Sequence, residues 1–220
     1  MEVDHIYICT DYKAPAGELL KEFGLTEGTS NTHPGQGTAN RRFFFHNFML
    51  ELLWIENLDE VKSVLTKPMR LFERCSKFDP NISPFGIGLR PIKEKNIKIT
   101  FPVWDYHPLY LPDFLKIQVA DNTPLSEPMF FYLSFVERQD KYPLEKKENM
   151  KHKLPLKEVT NIEVHINQKN EFSEAAKIIN NMDNLLLIKD NENYLKLTFD
   201  KGAYKKEKDF RPDLPLVINW

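Results

Sequence analysis

The chain has 220 residues, of which 30 are basic and 32 acidic, so its formal net charge is −2. This balance argues against nucleic-acid binding, which favours a basic excess. A hydrophobic fraction of 41% supports a folded core. The N-terminus, MEVDHIYICT, lacks the basic and apolar regions of a signal peptide, and no apolar run is long enough to span a membrane. We therefore expect a cytoplasmic protein without nucleic-acid or membrane partners.

Two cysteines are too few for a disulfide framework, and their spacing is not that of metal ligands. Cys9 and Cys75 both lie among apolar residues. We therefore expect two buried free thiols, as is usual in a reducing compartment.

Residues 1–57 are predicted to form a first βαβββ unit. Val3–Cys9 is rich in β-branched and aromatic residues, which predicts a strand. A helix follows, because apolar residues recur at helical spacing at Ala16, Leu19, Leu20 and Phe23. Arg41–Phe45 and Phe48–Ile55 predict two strands joined by a tight turn, with room for a short strand near Thr26.

The middle of the chain is less regular. Residues 58–80 predict one or two connecting helices, interrupted at Pro68. Residues 81–137 predict a second, degenerate unit rich in strands. Its strands are predicted at Phe85–Arg90, Ile97–Val103, Leu115–Val119 and Met129–Val136. The helix of this unit is absent or shortened to Pro91–Asn96.

Residues 138–158 are charged and predict a linker to a third βαβββ-like unit at 159–220. Its strands are predicted at Val159–Ile166, Leu185–Ile188, Tyr194–Phe199 and Leu216–Trp220. Its helical stripe consists of Phe172, Ala175, Ala176 and Ile179. Because internal repetition is a strong organisational signal, we predict an α+β fold of repeated βαβββ units packed as one compact domain.

Glu51 interrupts the otherwise apolar stretch FMLELLWI at residues 48–55. A buried carboxylate without a partner is costly, so Glu51 should have a partner, line a cavity, or lie in a strand that is less buried. Its strand could lie in one curved sheet with the first strand, which carries His5. A carboxylate and an imidazole there could bind a divalent transition metal or form a plain hydrogen-bonded pair.

Alternation along the first strand places His5 on a definite face. One face carries Val3, His5 and Tyr7, and the other carries Asp4, Ile6 and Ile8. The predicted helix should cover Ile6 and Ile8, so His5 should lie on the opposite, concave face.

The most distinctive segment is HPGQGTAN at residues 33–40. Its proline and two glycines indicate a loop that brings the backbone close to a ligand, or an ordinary loop into the next strand. His33 and Asn40 bound this segment and are candidate ligand-binding residues. Asn40 and Arg42 share one face of the strand, and Arg41 points the other way. The arginine on the concave face could bind an anionic or carbonyl-bearing ligand, and Arg42 is our candidate.

Three motifs occur in order, namely DHIYI at 4–8, HPGQGTANRRFFF at 33–45 and LEL at 50–52. They resemble the glyoxalase-like domain family of the vicinal oxygen chelate superfamily, which includes glyoxalase I, bleomycin-resistance proteins and extradiol dioxygenases. SPFGIGLR at 83–90 and MFFYLSF at 129–135 resemble the second unit of the family, and LPLVINW at 214–220 resembles a closing strand. The resemblance implies βαβββ units paired into a cupped, mixed or antiparallel sheet.

In metal-dependent members, the first and last strands of each paired unit supply one metal ligand each. The resemblance therefore implies that His5 and Glu51 bind a divalent ion such as zinc, nickel, manganese or iron, or that Glu51 is a general base and His5 its proton partner. The second unit departs from the pattern: its first-strand position falls at Phe85 or Gly86, which cannot bind a metal through a side chain, and its last-strand position falls near Ser134, a poor ligand for zinc-class metals. Ser134 is therefore a candidate ligand-binding residue only. If the third unit is the partner, His165 is a further candidate ligand.

The resemblance implies a small-molecule enzyme that acts on a carbonyl or vicinal-oxygen compound, as a monomer or a homodimer. The alternative is a metal-free, non-catalytic binding protein, and a structural role for the His5–Glu51 pair is a third reading. A binding protein of this type would contact its ligand with the aromatic side chains of Phe43, Phe45, Trp54 and Phe131. The cluster WDYH, which begins at Trp104, is predicted to form a lid over the cup or a packed aromatic loop.

Overall fold

The computed structural model describes residues 1–76, 79–92 and 99–220, which form an α+β fold that is mostly sheet. Its strands are β1 Glu2–Cys9, β2 Asn31–His33, β3 Thr38–Phe44, β4 Met49–Ile55, β5 Phe85–Arg90, β6 Val103–Tyr106, β7 Ile117–Ala120, β8 Met129–Tyr132, β9 Val159–Asn167, β10 Leu185–Asp190, β11 Tyr194–Phe199, β12 Glu207–Asp209 and β13 Leu216–Asn219. Its α-helices are α1 Gly17–Phe23, α2 Leu58–Val61, α3 Leu71–Ser76 and α4 Glu174–Ile179. Single 3₁₀ turns lie at Lys67–Met69, Gln139–Lys141, Leu144–Lys146 and Asp200–Gly202.

The first eight strands form one curled sheet in the order β2-β3-β4-β1-β5-β8-β7-β6. At its centre β1 pairs antiparallel with β5, and each of these strands pairs in parallel with the last strand of its own set, β4 or β8. We call β1–β4 the first half of this sheet and β5–β8 the second half. Counted outward from the centre, both halves have the same order: first, last, third and second strand.

The last five strands form a second sheet in the order β10-β9-β11-β13-β12. The third unit begins with a strand, a helix and a strand, as the sequence predicts, but its pairing differs from that of the first half. Here β10 lies directly beside β9, in parallel, whereas β2 is separated from β1 by two strands. The two sheets share one apolar core, in which the rings of Phe45 and Phe199 lie 4.6 Å apart.

A β-bulge in β1 changes which side chains share a face. The pairing with β5 shifts between Val3 and His5, because one extra residue is inserted there. Val3 consequently packs in the core with Ile6, while Asp4 lines the same cavity as His5. Strict alternation predicted the opposite placement of Val3 and Asp4, and that prediction is wrong.

Cys9 and Cys75 form a disulfide, which joins the end of β1 to α3. The prediction of two free thiols is therefore wrong, because the fold brings together two residues that lie 66 positions apart in the sequence. The two cysteines therefore give no support to the inference that the protein resides in a reducing compartment, and a cytoplasmic location stays a prediction. In the part of the chain that is described, no helix is long and apolar enough to cross a membrane.

The middle of the chain has shorter strands than its sequence predicts. β6 begins only at Val103, after Pro102, whose nitrogen cannot donate a ladder hydrogen bond. Trp104 therefore lies in a strand, and the prediction of a lid loop there is wrong. β8 ends at Tyr132, so Ser134 lies beyond it. Three parts of the prediction concern residues that are not described. They are most of the short helix predicted at 91–96, the start of the strand predicted from residue 97, and the end of the helical region at 77–78.

Candidate functional site

An open cavity of about 350 Å³ is lined mainly by the curled sheet and by segments 110–111 and 133–148. Six of the residues selected from the sequence line it: His5, His33, Asn40, Arg42, Glu51 and Phe131. The selected residues Trp104, Ser134 and His165 do not line it. Trp104 packs against Tyr106, Ser134 is exposed, and His165 lies on β9 of the second sheet.

Glu51 lines this cavity with a side chain that is only 7% exposed. Its Oε1 accepts a hydrogen bond of 2.7 Å from Asn40 Nδ2. Its Oε2 lies 3.7 Å from His5 Nε2, beyond hydrogen-bond distance but within reach of an ion pair. The carboxylate in the apolar strand therefore has both a partner and a cavity, and one of its oxygens is directed at the histidine.

A chain of charged groups positions His5 through the Nδ1 side of its ring. Its Nδ1 lies 2.7 Å from Asp4 Oδ2, and Asp4 Oδ1 accepts a hydrogen bond of 2.8 Å from Arg90 Nη1. The Arg90 side chain is 1% exposed and also donates to Glu2 and to the carbonyl of Asn47. The arginine therefore fixes Asp4, and Asp4 fixes the ring of His5 with Nε2 directed towards Glu51.

The same contacts shift the pKa values of Asp4 and His5. Burial by itself would raise the pKa of Asp4, but the hydrogen bond to His5 and the charges of His5 and Arg90 outweigh it and lower that pKa. Burial would lower the pKa of His5, but the hydrogen bond and charge of Asp4, followed by the charge of Glu51, raise it. The fold therefore favours an imidazolium at His5 beside the carboxylate of Glu51.

The loop between β2 and β3 adds a second group of polar side chains. His33 Nδ1 lies 2.9 Å from Thr38 Oγ1, and its ring packs 4.9 Å from the ring of Tyr110. Burial is the main reason why the pKa of His33 lies below its ordinary value, so the neutral imidazole is favoured. The Tyr110 hydroxyl donates to Gln36 Oε1 at 3.2 Å. Gly37, at φ +76°, makes the turn that returns the chain into β3.

The second half of the sheet lines the cavity with apolar side chains. They are Ile117, Val119, Met129 and Phe131, joined by the ring of Tyr106, whose buried hydroxyl has no hydrogen-bond partner among the described residues. The ring of Phe131 lies edge-on to that of His5, with 5.2 Å between their centroids. The other aromatic residues proposed to grip a ligand, Phe43, Phe45 and Trp54, lie in the core instead and do not line the cavity.

No family model and no curated protein sequence matches this chain. A solved structure, the crystal structure of a hypothetical protein from Staphylococcus aureus, resembles it with a TM-score of 0.53 and 11% sequence identity. The match covers 99% of this chain and 98% of that chain. At this identity the likeness supports the fold alone.

Two glycines lie at the positions of β5 that pair with Tyr7 and His5 of β1. A Cβ on Gly86 would lie 2.0 Å from the ring of Tyr7, and a Cβ on Gly88 would lie 2.7 Å from the ring of His5. The side chains of β1 therefore occupy the space that side chains of β5 would otherwise fill. Across the sheet, β8 offers Phe131 as the neighbour of Gly88.

The donor set around His5 does not fit a zinc-class metal. His5 Nε2 and Glu51 Oε2 are two donors, whereas such sites use three or four protein ligands. Both oxygens of Asp4 already accept hydrogen bonds, and the nearest positions on β5 are glycines. Elsewhere in the described residues, His46, Asp140 and Glu158 have ligand atoms within 4.8 Å of one another. The guanidinium of Arg138 already forms ion pairs with the carboxylates of Asp140 and Glu158, so their charge is balanced by the protein itself.

Sequence reasoning missed three residues of the cavity that matter to its chemistry. Asp4 belongs to the quoted DHIYI motif, but the bulge that brings it into the cavity leaves no mark in the sequence. Gln36 lies in the quoted loop, so its position could have been found. Tyr110 comes from a connection between β6 and β7, and no pattern along the chain predicts its contact with His33.

Proposed function

We propose that this chain is a glyoxalase-like small-molecule enzyme of the vicinal oxygen chelate type, which moves a proton on a carbonyl compound without a metal ion. The observation that carries this proposal is the pair formed by the Glu51 carboxylate and the His5 imidazolium, 3.7 Å apart in a partly apolar cavity. The equal strand order of the two halves supports the vicinal oxygen chelate arrangement as part of the proposal.

In this mechanism Glu51 is the general base. Its Oε2 removes a proton from the carbon next to the carbonyl group, and the electron pair of that C–H bond moves into a new C=C bond. His5 donates its Nε2 proton to the carbonyl oxygen, which gives a neutral enol. Return of the proton, or of a solvent deuteron, from Glu51 to the same carbon reforms the carbonyl compound, while the enol O–H proton goes back to His5 Nε2. Asn40 orients the base, and Asp4 keeps His5 charged.

A non-catalytic binding protein is the alternative function, and the apolar wall formed by the second half favours it. Such a wall can hold an organic ligand by burial of apolar surface alone. In that case His5 and Glu51 would serve only to orient the ligand. A small-molecule ligand is common to both functions, and whether the chain acts as a monomer or a homodimer stays a prediction.

The test is hydrogen–deuterium exchange in D₂O, followed by NMR, on a panel of aldehydes, ketones and 2-oxo acids that have a hydrogen next to the carbonyl. The protein should accelerate exchange for at least one compound, and Glu51→Gln should reduce the rate by about 10²–10⁴-fold, the usual contribution of a general base. Glu163→Gln, on β9 outside the cavity, is the matched control and should keep the full rate. Equal exchange rates in wild type and Glu51→Gln would refute the mechanism, and binding without exchange would favour the alternative.

A further inference from the structure

Arg42 lies directly beside the proposed base. The pairing of β3 with β4 places Arg42 opposite Glu51, and both side chains line the cavity. Residues that face each other across an antiparallel pair have their Cβ atoms roughly 5 Å apart. The two side chains therefore start from neighbouring positions in the wall of one cavity, and a group bound by Arg42 would share that cavity with a molecule held at Glu51.

The guanidinium of Arg42 has bonding capacity that its surroundings do not use. Its Nε donates to the carbonyl of Thr29 at 2.6 Å. The carboxylate paired with it, that of Glu148, lies 3.9 Å from Nη2, too far for a hydrogen bond. Neither terminal nitrogen donates a hydrogen bond to any residue in the described part of the chain, although the side chain is only 20% exposed.

The carboxylates that line the cavity differ from Arg42 in this respect. Asp4 is bonded to His5 and Arg90, and Glu51 accepts from Asn40. Glu148 accepts from the backbone nitrogen and the hydroxyl of Thr29, both at 3.2 Å. Each carboxylate thus has at least one oxygen that accepts a hydrogen bond from the protein, whereas the two terminal nitrogens of Arg42 donate none within the described residues.

We infer that Arg42 binds the carboxylate of the substrate, and that the substrate is a small organic acid with an apolar tail. A carboxylate matches the two parallel N–H groups of a guanidinium, which makes such pairs short and directional. Lys146, which is exposed and also lines the cavity, adds positive charge along the approach. The tail of the acid would lie against Phe131 and Val119 of the second half.

Joined to the proposed function, this inference narrows the substrate class to acids that carry a carbonyl group next to the carboxylate. With the carboxylate at Arg42, that carbonyl and its neighbouring C–H group reach His5 and Glu51. This narrower statement rests on the proposed function, but the binding of a carboxylate by Arg42 does not.

The experiment compares two probes of the same shape, 3-phenylpropanoate and 3-phenylpropanamide, which differ in charge and contain no ketone. Calorimetric titration of the wild type should show that the acid binds about 10-fold or more tightly than the amide, since a hydrogen-bonded charge pair has that effect. Arg42→Gln should remove this preference, and Arg42→Lys should retain part of it. Arg41→Gln is the matched control, because Arg41 lies next in the strand and bonds instead to Glu27 and Glu18 outside the cavity.

Equal affinity of the wild type for the two probes, or failure of the acid to bind at its solubility limit, would overturn the inference. A preference for the acid that persists in Arg42→Gln would overturn it as well, provided that circular dichroism shows the variant to be folded. Glu51→Gln separates the two proposals. If it loses exchange activity but keeps the preference for the acid, both stand; exchange activity in a protein without that preference would leave only the proposed function.

Discussion

The two halves of the large sheet have the same strand order but opposite chemistry. Among the strands of this sheet, the first half supplies the charged side chains of the cavity and several polar ones, including Asp4, His5, His33, Asn40, Arg42 and Glu51. The second half supplies apolar side chains such as Val119 and Phe131. An equal arrangement of the backbone therefore does not imply equal sites, because the chemistry depends on the side chains at a few inward positions.

The two halves also depend on each other at the central strand pair. Gly86 and Gly88 of β5 leave room for the rings of Tyr7 and His5 on β1. In return, Arg90 at the end of β5 holds Asp4 and, through it, His5. The second half thus contributes space and one buried charge, and the first half contributes the groups that would react.

The largest expected effect comes from removing that charge. Arg90→Met should lower the free energy of unfolding by roughly 3–5 kcal/mol, because it removes the buried guanidinium that bonds Asp4 Oδ1 and leaves this oxygen of the buried carboxylate unpaired. Chemical denaturation measures the loss. Arg138→Met is the control, since the ion pairs of Arg138 are partly exposed and should contribute less than about 1 kcal/mol. Similar small losses in both variants would contradict the role given to Arg90.

A second prediction concerns the covalent link between the first half and the segment that precedes the second. Reduction of the Cys9–Cys75 disulfide should lower the free energy of unfolding by about 2–4 kcal/mol, because the bond closes a long loop in the unfolded chain. Denaturation with and without a dithiol reductant measures this. The double variant Cys9→Ala/Cys75→Ala is the control and should not respond to reductant. An unchanged wild type would show that the bond does not form or does not stabilise the fold.

The glycines of β5 should have a smaller effect. Gly86→Ala should destabilise the protein by about 1–3 kcal/mol, since the new Cβ would overlap the ring of Tyr7. If that overlap is the cause, the same substitution should cost less in a Tyr7→Leu background. A double-mutant cycle by thermal or chemical denaturation measures the coupling. Additive losses would mean that Gly86 is required for another reason.

The smallest effect should be seen in the pH dependence of stability. The pKa of His5 is higher in the folded than in the unfolded protein, so its protonation stabilises the fold below its unfolded value and this contribution disappears as the pH rises through the folded value. Compared with His5→Gln, the wild type should therefore lose stability with rising pH above about 6.5, by at most about 1.4 kcal/mol per pH unit. Parallel stability curves for the two proteins would contradict the imidazolium assigned to His5.

Much of the local structure could be predicted because it follows from short patterns. Runs of β-branched and aromatic residues located most strands, and helical spacing of apolar residues located the helices α1 and α4. The carboxylate in an apolar strand indicated that Glu51 needs a partner or a cavity. The same reasoning placed Asn40 and Arg42 on one face, and both line the cavity with Glu51. These inferences hold because side-chain direction within one regular strand depends only on the backbone of that strand.

What only the tertiary structure decided involves residues far apart in the chain. The bulge at Val3–His5, the contact of Arg90 with Asp4, the disulfide and the position of Tyr110 each depend on how separate strands meet. The pairing of β10 with β9 is of the same kind, since the order of elements along the chain does not fix which strands become neighbours. The sequence by itself therefore determined which side chains need partners, and the folded sheet determined which partners they have, because pairing register and long-range packing are properties of the whole chain.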